Sequence, residues 1–274
     1  MKPYDLNELR MISNKVRKLI VQMIYRAGSG HVGGSLSIVE LLTVLYFGVL
    51  RLDPARPRWS ERDRFILSKG HAGPGLYAVL ALKGYFPEAE LFTMNQGDTI
   101  LPSHADMNRT PGVDMTTGAL GQGLSCGIGM ALAAKLDRQD HRVWVLLGDG
   151  ELNEGQVWEA AMLAAAKQLD NLTVIVDYNK LQSNGATTPL LEPLSQKWAA
   201  FGWAVLETDG HDLAAVSRTL AQAAAITDRP TAVIAHTIKG KGLSFAENRA
   251  ESHNMRLTAA QFEQALAELD ERSC

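Results

Sequence analysis

VWVLLGDGELNEGQVWEAAMLAAAKQLDNLTVIVDYNKL, residues 143 to 181, is the stretch that decides the fold. Val143 to Leu147 is an apolar run that stops at Gly148-Asp149-Gly150. From about Glu154 to Gln168 the apolar residues recur at helical spacing. Leu172 to Val176 is a second apolar run, stopping at Asp177-Tyr178-Asn179-Lys180. Strand, helix, strand is a βαβ unit, whose crossover joins parallel strands in a right-handed sense. Ligands of open parallel sheets sit at the carboxyl ends of the strands. Asp149 and Asn179 each lie just past one of these ends.

Alone, Asp149-Gly150 reads as an ordinary turn and Asn179 as a helix cap. Taken together, two oxygen-bearing side chains at neighbouring strand ends suit a hard cation. Mg²⁺ takes oxygen ligands in an octahedron that it commonly shares with phosphates. Gly148 and Gly150 let the backbone turn sharply and come close to a diphosphate.

Working outward, the chain has 274 residues, 46% hydrophobic and 21% charged, which is ample for a sizeable core. Alternating strands and helices point to one α/β domain, a three-layer arrangement with a mostly parallel sheet flanked by helices. The net charge of −3 gives no electrostatic case for nucleic acid. No apolar run reaches the roughly 18 residues of a membrane span. The N-terminal MKPYDLNELRMISNKVRKLI is mixed in charge and does not read as a signal peptide. Cys126 and Cys274 have no metal-site spacing and make a disulfide framework improbable, so a reducing cytoplasm is the expected compartment.

Leu6 to Ala27 has helical apolar spacing, and Ile38 to Phe47 reads as a second helix after the loop GSGHVGGSLS. Arg64 to Leu67 reads as a short strand. It runs into SKGHAGPG and a helix from about Leu76 to Lys83, whose N-terminus could hold an anion. TTGALGQG, residues 116 to 123, leads into a long helix, Leu124 to Leu136. Its small residues predict close helix–helix approach or a tight subunit contact. A dinucleotide reading of these glycines fails, because no strand precedes them. Asn184 to Pro193 reads as a loop, Lys197 to Phe201 as a helix and Ala204 to Glu207 as a strand. Asp209 to Asp212 caps a helix reaching Ile226, and Pro230 to His236 reads as a buried strand. A polar loop, Ser244 to Met255, and a last helix, Thr258 to Glu271, complete the chain.

His31, His71, His104 and His253 all lie in loops of small residues. His71, His253 and the Gly-Asp-Gly turn are expected to share one edge of the sheet. Histidines suit proton transfers on sugars and also bind phosphates and hydroxyls. His141 is expected to be solvated, His236 to be a core residue and His211 to serve a turn and cap. No pair has zinc-site spacing.

The stretches SGHVGGSLS, LSKGHAGPGLYA, TTGALGQGLS, GDGELNEGQVWEA, NKL and TIKGKG, with Ser252-His253 behind them, occur in an order that resembles the N-terminal, diphosphate-binding half of a transketolase. That resemblance implies thiamine diphosphate, with Mg²⁺ (or Ca²⁺ or Mn²⁺ in its place) held by Asp149, Asn179 and the Leu181 carbonyl. His31, His71, His104 and His253 would line the sugar channel as the catalytic histidines. Lys69, His71, Lys239 and His253 would lie at the diphosphate and reaction centre, Gly118 and Leu120 at the aminopyrimidine. Gly150 and Glu151 would support the metal loop. Val32 departs from the family's usual proline, and SHADMNRTPG is a form of shorter relatives.

In transketolases the carboxylate that activates the cofactor comes from a second domain, and nothing after Thr258 supplies one. The resemblance therefore implies a split enzyme: this chain, residues 1–274 with a core of about 6–240, and a C-terminal subunit carrying the pyrimidine-binding domain, two copies of each. The activity implied is transfer of a two-carbon ketol unit between sugar phosphates, with pentose phosphates, branched sugars or sulfonated sugars as substrates. Alternatives are a deoxyxylulose-phosphate synthase-like enzyme or a 2-oxo acid dehydrogenase subunit, and, in another class, a non-catalytic cofactor-binding subunit.

Overall fold

In chain order the strands are β1 (Arg64–Leu67), β2 (Val143–Gly148), β3 (Leu172–Tyr178), β4 (Leu181–Gln182), β5 (Gly185–Ala186), β6 (Ala204–Asp209) and β7 (Thr231–His236). The helices are α1 (Leu6–Ala27), α2 (Val32–Leu36), α3 (Val39–Val44), α4 (Gly73–Lys83), α5 (Gln122–Leu136), α6 (Gly155–Ala166), α7 (Leu194–Ala200), α8 (Leu213–Ala225) and α9 (Ala259–Glu271). This computed structural model describes residues 5–187 and 191–271. β4 and β5 form a small antiparallel hairpin, and the other five strands form one parallel sheet, ordered β1-β2-β3-β7-β6. Among the described residues no helix is long and apolar enough to cross a membrane.

Strand side chains alternate between faces, and both faces are buried. Trp144, Leu146, Ile175 and Val233 join the core made with α1, α3, α4 and α8. Val145, Leu147, Val174 and Ile234 join the core made with α5, α6 and α7. That double burial is why β2 and β3 read as unbroken apolar runs. The result is the expected three-layer α/β domain. The order reverses beside β3: the chain crosses to the far edge for β6 and returns to insert β7 against β3. A crevice opens at such a reversal, at the carboxyl ends of the strands.

Most expected elements lie where the pattern put them, and four regions differ. The loop around His31 contains a short helix, α2, because Gly33 lets it press against the Ser252 segment. A Cβ on Gly33 would lie 2.3 Å from Ser252 Oγ. The helix expected over 38–47 is α3, continued by a wider π turn, Leu45–Val49, which sets Tyr46 edge-on to Phe65 at 5.6 Å. The expected loop after Asn184 holds β5, and residues 188–190 of it lie outside the described residues. The small residues of α5 split by face. Gly127, Ala131 and Ala134 are buried, Gly127 so tightly that a Cβ would meet Val145 Cγ2 at 2.6 Å. Ser125, Gly129 and Ala133 face outward.

Three histidines sit otherwise than expected. His141 is buried, not solvated, because the Asp63 and Arg142 segments close over the N-terminal end of the sheet. His236 is exposed, not core: it is the last residue of β7, at the carboxyl end of the sheet, and its ring pairs with Glu207 at 2.7 Å. His211 does more than cap a turn, since its ring bridges Glu40 and the backbone N–H of Ile238.

Candidate active site

β1 ends at Leu67, and the chain passes through Ser68 and Lys69 into a tight turn, Gly70–Ala72, that carries His71. The turn fits beneath the loop before α5: a Cβ on Gly70 would lie 2.9 Å from Gly118 N. Gly118, at φ +147°, brings that loop against the His104 ring. His31 stands at the start of α2, and Gly30 pairs with Met255 to draw His253 to the same place. Four separate segments thus deliver four imidazoles to one cluster. His31 lies with its ring centroid 5.2 Å from His71, 5.7 Å from His104 and 5.4 Å from His253, and His71 lies 4.9 Å from His253.

Every site residue expected from the sequence lines one cavity of about 270 Å³ at the carboxyl ends of the strands. Gly118 lies against His104, and Lys239 Nζ stands between His253 and the Leu181 carbonyl. Lys69, Leu120, Asp149, Gly150, Glu151 and Asn179 complete the lining, with Glu151 bonded to the Gly121 N–H next to Leu120. Gln182 and Ser183 also line it and were not foreseen; they follow Leu181 in the β4 hairpin, and nothing in their residue types marks them. Asp177 was missed as well. It is fully buried at the end of β3 and accepts from Lys69 Nζ at 2.5 Å, Ser37 Oγ at 2.7 Å, Asn179 Nδ2 at 3.0 Å and Thr237 Oγ1. An acid closing an apolar strand run was the available signal, since a buried carboxylate needs partners.

Burial is the chief cause of the electrostatics here. It lowers His31 to about 4, assisted by His104, Lys69 and Lys239. It lowers His253 to about 4, assisted chiefly by Lys239, and His71 far below the usual histidine range, assisted by Lys69. His104 is lowered by burial too. All four rings are neutral at pH 7, each with one nitrogen to donate and one to accept. Lys239 is lowered to about 8 by burial and then by Lys69. Glu151 is raised by burial, yet Ser68 Oγ, Gly121 N and Gly148 N all donate to it, which ties the ends of β1 and β2 to the loop before α5.

The donor set at the sheet edge fits a divalent cation. Asp149 Oδ1 accepts from Gly150 N at 2.8 Å, and Oδ2 from Lys180 N and Thr187 Oγ1. Burial, then the charge of Asp177, pushes Asp149 up to about 7, so the carboxylate calls for a nearby positive charge. Asn179 gives its Nδ2 to Asp177, which commits its Oδ1 to the loop side, where it accepts from Leu181 N at 3.1 Å. The Leu181 carbonyl faces Lys239 Nζ at 3.2 Å. One carboxylate, one amide oxygen and one carbonyl make a hard-cation set. Among the described residues no three His, Cys, Asp or Glu side chains form a metal cluster. The wall around these residues is also close-fitting: a Cβ on Gly150 would lie 2.8 Å from Gln182 Cβ, and one on Gly34 3.4 Å from Lys69 Nζ.

The family model described as transketolase, thiamine diphosphate binding domain, matches residues 9–270. The 6-deoxy-6-sulfo-D-fructose transketolase subunit SqwG of Clostridium sp. is 51% identical over 265 residues, covering 96% of both chains. One of the subunits of the apulose-4-phosphate transketolase of Phocaeicola vulgatus is 43% identical, covering 98% of this chain and 96% of its own. Human transketolase is 40% identical over 96% of this chain but only 42% of its own. A transketolase of Pichia stipitis, solved with sedoheptulose 7-phosphate, superposes with a TM-score of 0.92 at 32% identity, covering 96% of this chain and 41% of its own. The chain thus spans about two fifths of the length of such transketolases, and nearly all of relatives named as subunits. Relatives of its own length being subunits, a partner subunit is implied. The whole-length match to the thiamine diphosphate binding domain, on the fold and cavity described, shows that this chain belongs to the transketolase family.

Proposed function

We propose that this chain is the cofactor-anchoring half of a split transketolase, which moves a two-carbon ketol unit from a ketose to an aldose acceptor. One observation carries the reading: a single cavity joins the hard-cation set Asp149, Asn179 and Leu181 to a cluster of four neutral histidines. In this reading those three residues hold Mg²⁺, with Ca²⁺ or Mn²⁺ able to replace it. Lys69, His71, Lys239 and His253 meet the diphosphate and the reaction centre. Gly118 and Leu120 meet the aminopyrimidine, and Gly150 and Glu151 shape the metal loop. Bound thiamine diphosphate supplies the acidic ring carbon and the electron sink for the two-carbon unit.

The chain's own residues bind, orient and move protons. His31, His71, His104 and His253, neutral and crowded, accept hydrogen bonds from sugar hydroxyls and take up the proton released when the donor's carbon–carbon bond breaks. That proton goes to the acceptor's carbonyl oxygen, which becomes a hydroxyl as the new carbon–carbon bond forms. The cavity walls described here hold no carboxylate beside Gly118 and Leu120 except Glu151, whose two oxygens already accept three donors. The activating carboxylate therefore belongs to a C-terminal subunit with the pyrimidine-binding domain, in an assembly of two copies of each chain. We take residues 1–274 as one domain and the cytoplasm as its compartment.

The test is to tag this chain in its host and measure the native mass of what co-purifies. That complex is then assayed with Mg²⁺ and thiamine diphosphate, using xylulose 5-phosphate, 6-deoxy-6-sulfofructose and apulose 4-phosphate as donors. The expected result is a partner of comparable size and transfer from one donor class. Full turnover by the isolated chain would place the activating carboxylate here and overturn the split reading. A partnered complex inactive on all donors would leave a binding subunit instead.

A further inference from the structure

Lys239 reaches the cavity from the loop that follows β7. Its ammonium contacts the Leu181 carbonyl at 3.2 Å, the Gln182 carbonyl at 3.3 Å and His253 Nδ1 at 3.3 Å. Two further contacts grip this loop from outside the cavity. His211 Nε2 accepts from the Ile238 N–H at 2.8 Å, and Arg17 Nε donates to the Lys241 carbonyl at 3.1 Å. They fasten the backbone on either side of Lys239-Gly240.

One side chain joins the two fasteners. Glu40, on α3 and only 6% exposed, pairs with Arg17 Nη1 at 2.6 Å and Nη2 at 2.9 Å. Its Oε2 also lies 3.0 Å from His211 Nδ1. Although burial raises the Glu40 carboxyl, Arg17 and His211 outweigh it and hold it at about 2, so it is an acceptor only. The proton of the His211–Glu40 contact must then sit on Nδ1. That leaves the Nε2 lone pair for the Ile238 N–H, the tautomer the loop contact requires.

We propose that Glu40 and His211 are positioning residues for the cofactor: Glu40 fixes the tautomer of His211, and His211 holds the Lys239 loop so that the ammonium is set toward the diphosphate. This rests on the reading of Lys239 as a diphosphate contact. Neither residue touches the cavity, and the contacts span segments from residue 17 to residue 241.

The experiment uses the enzyme co-purified with its partner, with thiamine diphosphate binding in Mg²⁺ followed by calorimetry. His211→Leu removes the Ile238 contact and leaves the Arg17–Glu40 pair. It is expected to weaken cofactor affinity roughly three- to tenfold, one hydrogen bond's worth. The turnover number at saturating cofactor should stay within about twofold. His211→Gln, whose amide oxygen can take the place of Nε2, should restore affinity. Lys239→Ala should weaken binding by itself, and His211→Leu added to it should cost nothing more, since the two act through one side chain. Undiminished affinity in His211→Leu, or an equal further loss in the Lys239→Ala background, overturns the proposal. A silent Lys239→Ala overturns first the reading of Lys239 as a diphosphate contact, and the positioning role with it.

Discussion

At the scale of single residues, Asp149 and His71 divide the labour of the cavity. Asp149 is a buried acid whose ionisation is opposed by burial and by Asp177. A divalent cation reverses that opposition, so metal and carboxylate stabilise each other. Asp149→Ala is expected to lower Mg²⁺-dependent thiamine diphosphate affinity on the order of 100-fold, the upper end for disturbing a metal's surroundings. Titration calorimetry on the purified complex measures it, and intact affinity would take Asp149 out of the metal site. His71 touches the neighbouring rings rather than the cation set. His71→Ala should therefore cut sugar transfer by roughly 10²–10⁴-fold, the range for a lost acid–base group, and spare most cofactor binding. Unchanged turnover would remove His71 from the proton path. Asp149, Asn179 and the four histidines were legible because each sits in a loop of small residues or directly after an apolar run. Asp177 and Glu40 were not read as site elements. Their partners lie up to 171 positions away, and local spacing carries no trace of that separation.

At the scale of elements, the first helices act as a brace for the site. α1 supplies Arg17 and α3 supplies Glu40, both nearly buried, and their pairing links these helices to the loop after β7. The Glu40 carboxyl lies near 2, against an ordinary 4.5. A depressed folded-state value means that its stabilisation is full above about 4.5 and is lost as pH falls through about 2. Glu40→Gln should therefore flatten the acid limb of the stability curve in that window. It should also destabilise by about 3–5 kcal/mol, because it leaves the Arg17 charge buried without a counter-charge. Denaturant unfolding at stepped pH measures both, and an acid limb identical to the parent's would remove Glu40 from the linkage. α2 depends on Gly33 in another way. With Ser252 Oγ at 2.3 Å and Lys239 Cγ at 2.8 Å from a hypothetical Cβ, Gly33→Ala should cost about 1–3 kcal/mol through overpacking. Thermal melting would report it. This helix was hidden in the sequence because three of its five residues are Gly or Ser, and it is helical where it packs among α1, α4 and the 250–253 turn.

At the scale of the molecule, the sheet order explains both what this chain holds and what it lacks. The reversal between β3 and β7 opens the crevice, and β1, β2, β3 and β7 each deliver a polar group to it: Lys69, Asp149, Asn179 and Lys239. The five strands of the parallel sheet were legible, whereas their order across it was not, since β6 is the farthest from the site yet precedes β7 in the chain, and the short β4–β5 hairpin left no apolar run to read. The cavity formed is about 270 Å³, just under the roughly 300–1,000 Å³ of sites that enclose a cofactor-sized ligand. In the split reading it is one wall of the site, and the partner subunit supplies the other. The isolated chain is expected to favour thiamine diphosphate over inorganic pyrophosphate only weakly, because the ring end meets a single wall here, at Gly118 and Leu120, and lacks the partner's side. In the complex with its partner subunit, thiamine diphosphate should gain by at least about tenfold over pyrophosphate, as the rest of the cofactor becomes enclosed. Competition calorimetry in Mg²⁺ compares the two ligands on the two samples. If the isolated chain already separates them by as much as the complex does, the cofactor's ring end is bound here, and the partner's role shrinks to the sugar.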